Sequence, residues 1–493
     1  MKNPGEVLLI SCYEMGHQPL ALASPLGFLE AAGYKPSALD IAVEGFDEER
    51  ARSARFVGIS VPMHTAMRLG ILVGERVRAI NPGAHICYYG LYASLNAGTL
   101  LGKSADSVIG GEFEGPLLEL VEAIERGTKT PVPIDGVTGR ATNETGELTG
   151  IIERRASTLP SLRRLAFQPP ARSSLPPLQS YAKLDWKGEL RLVGSVETSR
   201  GCLHLCRHCP IPPVYGGRFF IVPKQIVLED VRALVEAGAR HISFTDADFL
   251  NGPGHSMAVA RAIQGNYPDL TFDITTKVEH ILRHRKLFPE LARLGCLFVI
   301  SAIESTSDEV LSHLDKGHTR ADIAAALGIC QGAGITLRPS LLSFTPWTTL
   351  ADYADMLDFI DRHDLIDQVD PVYYAIRLLL PPGSLLLADP TLAPLLGPLD
   401  EAAFSFAWKH PDPRMDRLHR EVSRAVERAA ASGEDPRITF QRVRLLVHLA
   451  HGEGIEKGIP AGGSIGSDLA VSPAPVHPAS RRRPPRMTES WFC

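Results

Sequence analysis

The sequence has no apolar run long enough to cross a membrane as a helix. Neither sign of charge dominates: 51 Lys+Arg stand against 56 Asp+Glu, a net charge of −5. A mildly acidic chain attracts neither nucleic acid nor an anionic membrane surface, so neither is expected as its main partner. Its one basic run, Arg481 to Arg483 beside Pro484 and Pro485, reads as a solvated tail. The opening MKNPGEVLLISCYEMG has one lysine and only a short, interrupted apolar run, which reads as a first strand and not as a signal peptide. Eight cysteines in 493 residues are no disulfide framework. Three of them are clustered, which points to a metal site in a reducing compartment, expected to be the cytoplasm. The length exceeds one ordinary core, so two or three domains are expected.

Residues 1–130 consist of short apolar runs separated by helical spacing. EVLLISCY (6–13), SALDIAV (37–43), FVGISVP (56–62), HICYYG (85–90) and DSVIGG (106–111) read as five buried strands of an open parallel sheet. The intervening MRLGILVGERVRAIN and GPLLELVEAIERG read as helices. This α/β, Rossmann-like (flavodoxin-like) layout binds ligands at the carboxyl ends of its strands. Ser60, Gly90, Gly110 and Gly111 fall there, small enough for a large flat ligand to approach the backbone, although glycines also simply turn corners. Residues 131–190, rich in Thr, Gly and Pro, read as a connector.

The second domain opens on GCLHLCRHCP (201–210), with the spacing Cys202-x3-Cys206-x2-Cys209. Three thiolates in one loop suit zinc or an iron–sulfur centre. For zinc, His204 or His208 would be the fourth ligand. Two features oppose zinc: no second Cys-x2-Cys or histidine pair lies nearby, and the loop follows a buried strand at the mouth of a repeating β/α region. RLVGSVETSRGC, HISFTDADFLNG, TFDITTKVEHI, CLFVISAIESTSDEV, ITLRPSLLSFTPWTT and VDPVYYAIRLLLPPGS each open as a strand. Six such units make a partial (β/α)6 barrel over 191–387. Active residues of parallel barrels lie at the carboxyl ends of strands, where Asp246, Asp248, Lys277, Glu304, Arg338 and Arg377 are placed with the cysteine loop. Residues 388–457 read as a small helical region, with Trp408 and His410 in its core, and 458–493 as a disordered tail.

The cysteine spacing and the barrel behind it resemble the radical S-adenosylmethionine superfamily. The resemblance implies a 4Fe–4S cluster on Cys202, Cys206 and Cys209, with S-adenosylmethionine on the fourth iron. It implies His208 beside the adenine, Glu304 or Ser305 near the ribose with Lys316-Gly317 in the next turn, Asp246 and Asp248 at the methionine amino group, and Arg338 at the methionine carboxylate. The runs ASPLGFLEAAGY, FVGISVPMHTAM, CYYGLYASLN and VIGGEFEGPLLELVEAI resemble the cobalamin-binding domain that precedes many such barrels. The stretch CYEMGHQP lacks that domain's Asp-x-His-x-x-Gly pattern, so His17 is an axial ligand outside the pattern or the lower face has none.

The implied activity is reductive cleavage of S-adenosylmethionine, with electrons from a flavodoxin or ferredoxin, for methylation or radical rearrangement of a small-molecule or peptide substrate. The alternatives are a cobalamin or iron–sulfur sensor without turnover and a zinc-stabilised structural protein. The ending MTESWFC resembles the group of these proteins whose tail carries Cys-Cys-Ala-Glu-Pro or Cys-selenocysteine-Ala-Glu-Pro. Cys493 then stands as that motif's first cysteine, a tail thiol followed by a selenocysteine codon read as a stop.

Overall fold

The computed structural model describes residues 1–127, 134–142, 148–151, 160–452 and 484–489. Strands β1 (Val7–Ser11), β2 (Ser37–Asp40), β3 (Phe56–Ser60), β4 (His85–Tyr89) and β5 (Ser107–Ile109) are parallel, in the order 2-1-3-4-5. This is the flavodoxin-like order, and its direction reverses between β1 and β3. Every residue of β1, β3 and β5 is buried because helices cover both faces. Leu26, Leu29, Leu117 and Val121, from helices Leu20–Ala31 and Glu114–Glu125, pack on one face, and Met67, Ile71 and Val77 of helix His64–Ile80 on the other.

The connector is more than a spacer. Its strands β6 (Val137–Thr142) and β7 (Leu148–Ile151) extend the first sheet in antiparallel fashion. Its β8 (Lys183–Trp186) pairs antiparallel with β9 (Glu189–Val196), the first strand of the second sheet. The connector thus extends one edge of each sheet. Between these strands the buried Arg172 donates to Asp230 at 2.6 Å, to Gln18 Oε1 at 2.9 Å and to the Ser195 carbonyl at 2.7 Å, pinning both domains to the connector.

A short hairpin of β10 (Ser199–Gly201) and β11 (Phe219–Ile221) rises from the end of β9. Then β12 (His241–Phe244), β13 (Thr271–Thr275), β14 (Cys296–Glu304) and β15 (Thr336–Leu341) run parallel to β9, with helices outside, as an open partial barrel. The sixth strand expected within 369–384 is reduced to one bridge, Phe344 to Arg377. Pro371, Pro381 and Pro382 withhold the N–H donors a longer ladder needs. The region expected to be helical begins with a hairpin, β16 (Leu396–Asp400) and β17 (Ser405–Trp408). Trp408 is buried there, its indole N–H donating to the Leu378 carbonyl at 2.9 Å. Helices Pro413–Ser432 and Pro436–Gly452 follow, and Leu418, Val422, Phe440 and Val443 join the barrel's main core. Among the described residues no helix is long and apolar enough to cross a membrane.

The tail departs from the expected disorder at 484–489, where β18 (Arg486–Met487) pairs antiparallel with β8. Met487 is buried against Leu184, Val193 and Phe298. The Thr488 amide donates to the Lys183 carbonyl at 2.8 Å. Arg338 donates to the Pro485 carbonyl at 2.6 Å and forks onto both oxygens of Asp370 at 2.8 Å. The other residues of the expected tail, Cys493 among them, lie outside the described residues. Arg338→Ala removes the clamp and strands Asp370, and is expected to cost about 2 kcal/mol of stability. Hydrogen exchange at the Thr488 amide should quicken in that variant; protection equal to the parent's would show that β18 holds without Arg338.

Candidate active site

The cysteine loop is a detour within the β10/β11 hairpin, anchored at both ends. The Cys202 amide donates to the Arg218 carbonyl at 3.1 Å, the Cys209 amide to the Cys206 carbonyl at 3.2 Å, and the Arg207 amide to the Leu314 carbonyl at 2.9 Å. Arg207 also donates to Asp389 at 2.8 Å. Cys202 and Cys206 are buried and Cys209 half-buried. Burial pushes the Cys202 thiol up, and the Cys209 thiol up to about 12. Thiolates in such a place need a metal to take the proton's position.

Beside the loop stands a charged group at the end of β14. His208 Nε2 lies 3.1 Å from Glu304 Oε1, and Lys316 Nζ donates to the same oxygen at 3.3 Å. Burial raises the Glu304 carboxyl, but the Lys316 ammonium and His208 outweigh it and hold it at about 2. Glu304 also has a positive φ of 62°, an uncommon conformation for a non-glycine residue. Ser305, next to it, is buried and accepts a bond from the Ser307 amide at 3.1 Å. The structure therefore brings Cys202, Cys206, Cys209, His208, Glu304 and Ser305 to one end of the barrel.

The other expected contacts are committed elsewhere. Asp246 accepts from the Thr198 amide, the Thr198 hydroxyl and the Ser199 hydroxyl at 2.9, 2.7 and 2.6 Å, closing the turn that leads into the cysteine loop. Asp248 accepts from the Leu250 amide, the Thr276 hydroxyl and the Lys277 amide at 2.9, 2.8 and 3.0 Å. Both carboxylates are buried buttresses: Asp246 holds three donors from the turn, and Asp248 holds two on Oδ1 and one on Oδ2. Arg338 is spent on Asp370 and the tail, so it is not free for the methionine carboxylate. Arg377 stacks on Trp408 at 3.6 Å and pairs with Asp416 at 2.8 Å, tying down the C-terminal helices.

Between the domains lies a cleft of about 270 Å³ whose walls include His17, Ser60, Gly90 and Gly111 from the first sheet and Ser199, Arg200 and Thr245 from the barrel. The Ser60 hydroxyl is buried without a hydrogen bond among the described residues. Gly110 and Gly111 have a packing reason to be glycine: side chains there would meet Ser94 at 2.5 Å and the Ser161 carbonyl at 2.0 Å. The chain at Pro160–Ser161 crosses where a flat ligand was expected to approach these two glycines.

Arg200, not singled out from the sequence, is the cleft's main charge. It lies 2.8 Å from Glu114 Oε2, 2.6 Å from Glu197 and 3.5 Å from Glu112, and Tyr215 donates to Glu112 at 2.9 Å. Burial pushes Glu112 up to about 7 against the pull of Arg200. The signals were present: an arginine two residues before the first cysteine, and Glu-x-Glu just after β5.

The three thiols stand further apart than one tetrahedral ion would hold them. Tetrahedral zinc at about 2.3 Å from each sulfur would hold them about 3.8 Å apart. Among the described residues the set that brings three ligand atoms within 4.8 Å of one another is His204, Asp248 and His280, not the three thiols. A cluster that gives each cysteine its own iron suits the wider spacing.

Residues 196–360 match the family model of the radical SAM superfamily. The chain is 25% identical over 244 residues to the hopanoid C-3 methylase of Methylococcus capsulatus, covering 49% of this chain and 43% of that protein. It spans less than half the length of the curated relatives it matches. Among solved structures it resembles the radical S-adenosylmethionine methyltransferase TsrM from Kitasatospora setae, solved with cobalamin and a [4Fe-4S] cluster (TM-score 0.56, 20% identity, 73% of this chain and 70% of that one). It also resembles the cobalamin-dependent S-adenosylmethionine radical enzyme OxsB, solved with aqua-cobalamin and S-adenosylmethionine (TM-score 0.64, 15% identity, 84% and 65%). These likenesses establish the fold, a parallel sheet ahead of a partial barrel. Residues 196–360 thus match a radical SAM domain, which implies a 4Fe–4S cluster and S-adenosylmethionine, and the three cysteines of the loop lie within that match.

Glu14, on the cleft wall, accepts from the Leu20 and Ala21 amides at 3.0 and 3.3 Å, and burial pushes it up to about 8. Glu14 and Glu112 thus keep their protons in the folded chain well above the ordinary 4.5, at which the unfolded chain releases them. Folding binds protons in that window, so their contribution to stability falls as pH rises from about 5 to about 8. Glu14→Gln keeps an acceptor without the ionisation. Its thermal midpoint should gain on the parent's as pH rises through that range; a constant difference would remove Glu14 from the pH response.

Proposed function

We propose, from the radical SAM domain at residues 196–360, that this chain is an enzyme that holds a 4Fe–4S cluster on Cys202, Cys206 and Cys209. It cleaves S-adenosylmethionine reductively and methylates or rearranges a small-molecule or peptide substrate. The observation that carries the reading is the loop: three thiols, buried or half-buried at the barrel mouth, too widely spaced for one ion, with an ionised glutamate beside them. When bound, the cluster and S-adenosylmethionine supply the electron transfer and the radical chemistry that side chains lack.

The chain's own residues orient that chemistry. Glu304 stays ionised at any working pH, and both of its neighbours bond to Oε1. Oε2 takes no hydrogen bond among the described residues, which leaves it for a ribose hydroxyl. His208 Nδ1 is buried without a partner among the described residues, a position for a contact with adenine. The first domain serves as the corrinoid module, with the unpartnered Ser60 hydroxyl facing the need for a polar contact and His17 on the cleft wall. At about 270 Å³ the cleft is smaller than the roughly 300–1,000 Å³ of drug-sized pockets, so a corrinoid requires the two domains to part. Electrons come from a donor of the flavodoxin or ferredoxin class.

Anaerobically purified protein should be brown, contain iron and sulfide, and release 5′-deoxyadenosine when reduced with S-adenosylmethionine. Cys206→Ser should lose the cluster and that product together. Zinc without iron would overturn the reading in favour of a structural protein, and a stable cluster that never cleaves S-adenosylmethionine would leave a sensor. Glu304→Gln loses a charge-assisted hydrogen bond of about 2 kcal/mol, so S-adenosylmethionine should bind on the order of 30-fold more weakly. Unchanged binding would take Glu304 away from the ribose.

A further inference from the structure

His204, inside the cysteine loop, turns its ring away from the thiols. Its Nε2 lies 3.2 Å from Nε2 of His280, a buried residue on the helix Val278–Arg283. On its other side His280 presents Nδ1 to Asp248 Oδ2 at 3.0 Å, yet that nitrogen makes no hydrogen bond among the described residues. One ligand atom from each of His204, Asp248 and His280 lies within 4.8 Å of the others.

The spacing has a chemical meaning. Two imidazole nitrogens bound to one tetrahedral ion, each about 2.05 Å from it, stand about 3.3 Å apart. A His–His hydrogen bond would give the same distance; what sets this pair apart is a third ligand atom, from the buried Asp248, within 4.8 Å of both. Asp248 has committed Oδ1 to two donors and Oδ2 to the Lys277 amide, which leaves Oδ2 capacity on the side of His280. The surroundings favour a cation. Glu279 Oε2 lies 3.6 Å from His204 Nδ1, so two carboxylates offset the single ammonium of Lys277, itself 3.6 Å from Glu279.

We propose that His204, His280 and Asp248 bind a divalent cation of the zinc class, separate from the cluster. Two imidazoles and a carboxylate suit zinc, with water completing the set. The ion fastens the cysteine loop to the barrel ends of β12 and β13 whether or not a cluster is present. Its role is positional, since the ligands come from the loop and the two strand ends that carry it.

The test uses the full chain with Cys202, Cys206 and Cys209 replaced by alanine, stripped with chelator and titrated with cobalt(II) and zinc(II). One equivalent per chain is expected, with a tetrahedral cobalt spectrum lacking sulfur-to-cobalt charge transfer. Adding His204→Asn, a loop substitution that leaves the barrel core untouched, or His280→Gln should abolish it, while circular dichroism stays that of the parent. Absence of binding by the folded chain would overturn the proposal and leave a hydrogen-bonded pair. Binding that survives both substitutions would overturn it as well, by placing the ion elsewhere. Should the cysteine-free chain not fold, the zinc-to-iron ratio of the wild-type holoprotein against His204→Asn decides: equal ratios refute the site. The cysteine-free chain cannot hold a cluster, so its result is independent of the proposed activity.

Discussion

The site hangs on two buried carboxylates at the end of one strand. Asp246 and Asp248 follow β12 two residues apart and face different parts of the machinery. The first takes three donors from Thr198 and Ser199, fixing where the chain turns out of β9 toward the cysteines. The second joins the end of β13, through Thr276 and Lys277, and reaches His280. Both are paid for by hydrogen bonds, since a carboxylate out of water is tolerated only where its lone pairs are filled. A small shift of β12 would therefore move the thiols as well, because the loop has no sheet of its own beyond the three-residue β10 and β11.

Much of this architecture was legible in the sequence. Apolar runs interrupted by helical spacing give the five parallel strands and the β/α repeat, because strands buried on both faces leave continuous apolar segments. The cysteine spacing marked the loop, and its resemblance to the radical S-adenosylmethionine superfamily pointed to the domain that residues 196–360 match. Roles that depend on who sits opposite were not legible. Asp246 and Arg338 have the right residue types for a ligand, but type does not reveal that Thr198, Ser199, Asp370 and the Pro485 carbonyl are already there. The sixth strand and the tail erred in opposite directions: prolines cut one to a bridge, while a six-residue segment among polar and proline-rich sequence found an open edge to pair with. Long-range pairing of that kind has no local signature.

The two domains are coupled by more than the chain between them. Arg172 contacts Gln18 from the first domain and Ser195 and Asp230 from the barrel, and Arg200 draws in Glu112 and Glu114 across the cleft. The tail adds a third tie: Glu489 lies against Gly16, where even a Cβ would come within 2.9 Å of it. The loop from Glu14 to Gln18 is thus held by the barrel, the connector and the tail at the point where strand order reverses and a ligand would enter.

This arrangement sets the energetic terms of any large ligand in the cleft. Three carboxylates share one guanidinium at a buried boundary, and Glu112 escapes the excess charge by holding its proton up to about 7. Parting the domains would let water reach these groups and relieve their desolvation, while breaking the close Arg200 pairs, so the two effects oppose each other. Apolar walls such as Leu20, Pro62, Met63 and Phe113 would lose their cover at the same time. A ligand that replaced that cover and left Arg200 among its carboxylates would open the cleft at least cost. A flat ligand with an apolar face and polar edges has that shape, and the first domain offers its edges the unpartnered Ser60 hydroxyl while the barrel offers the mouth that carries the thiols.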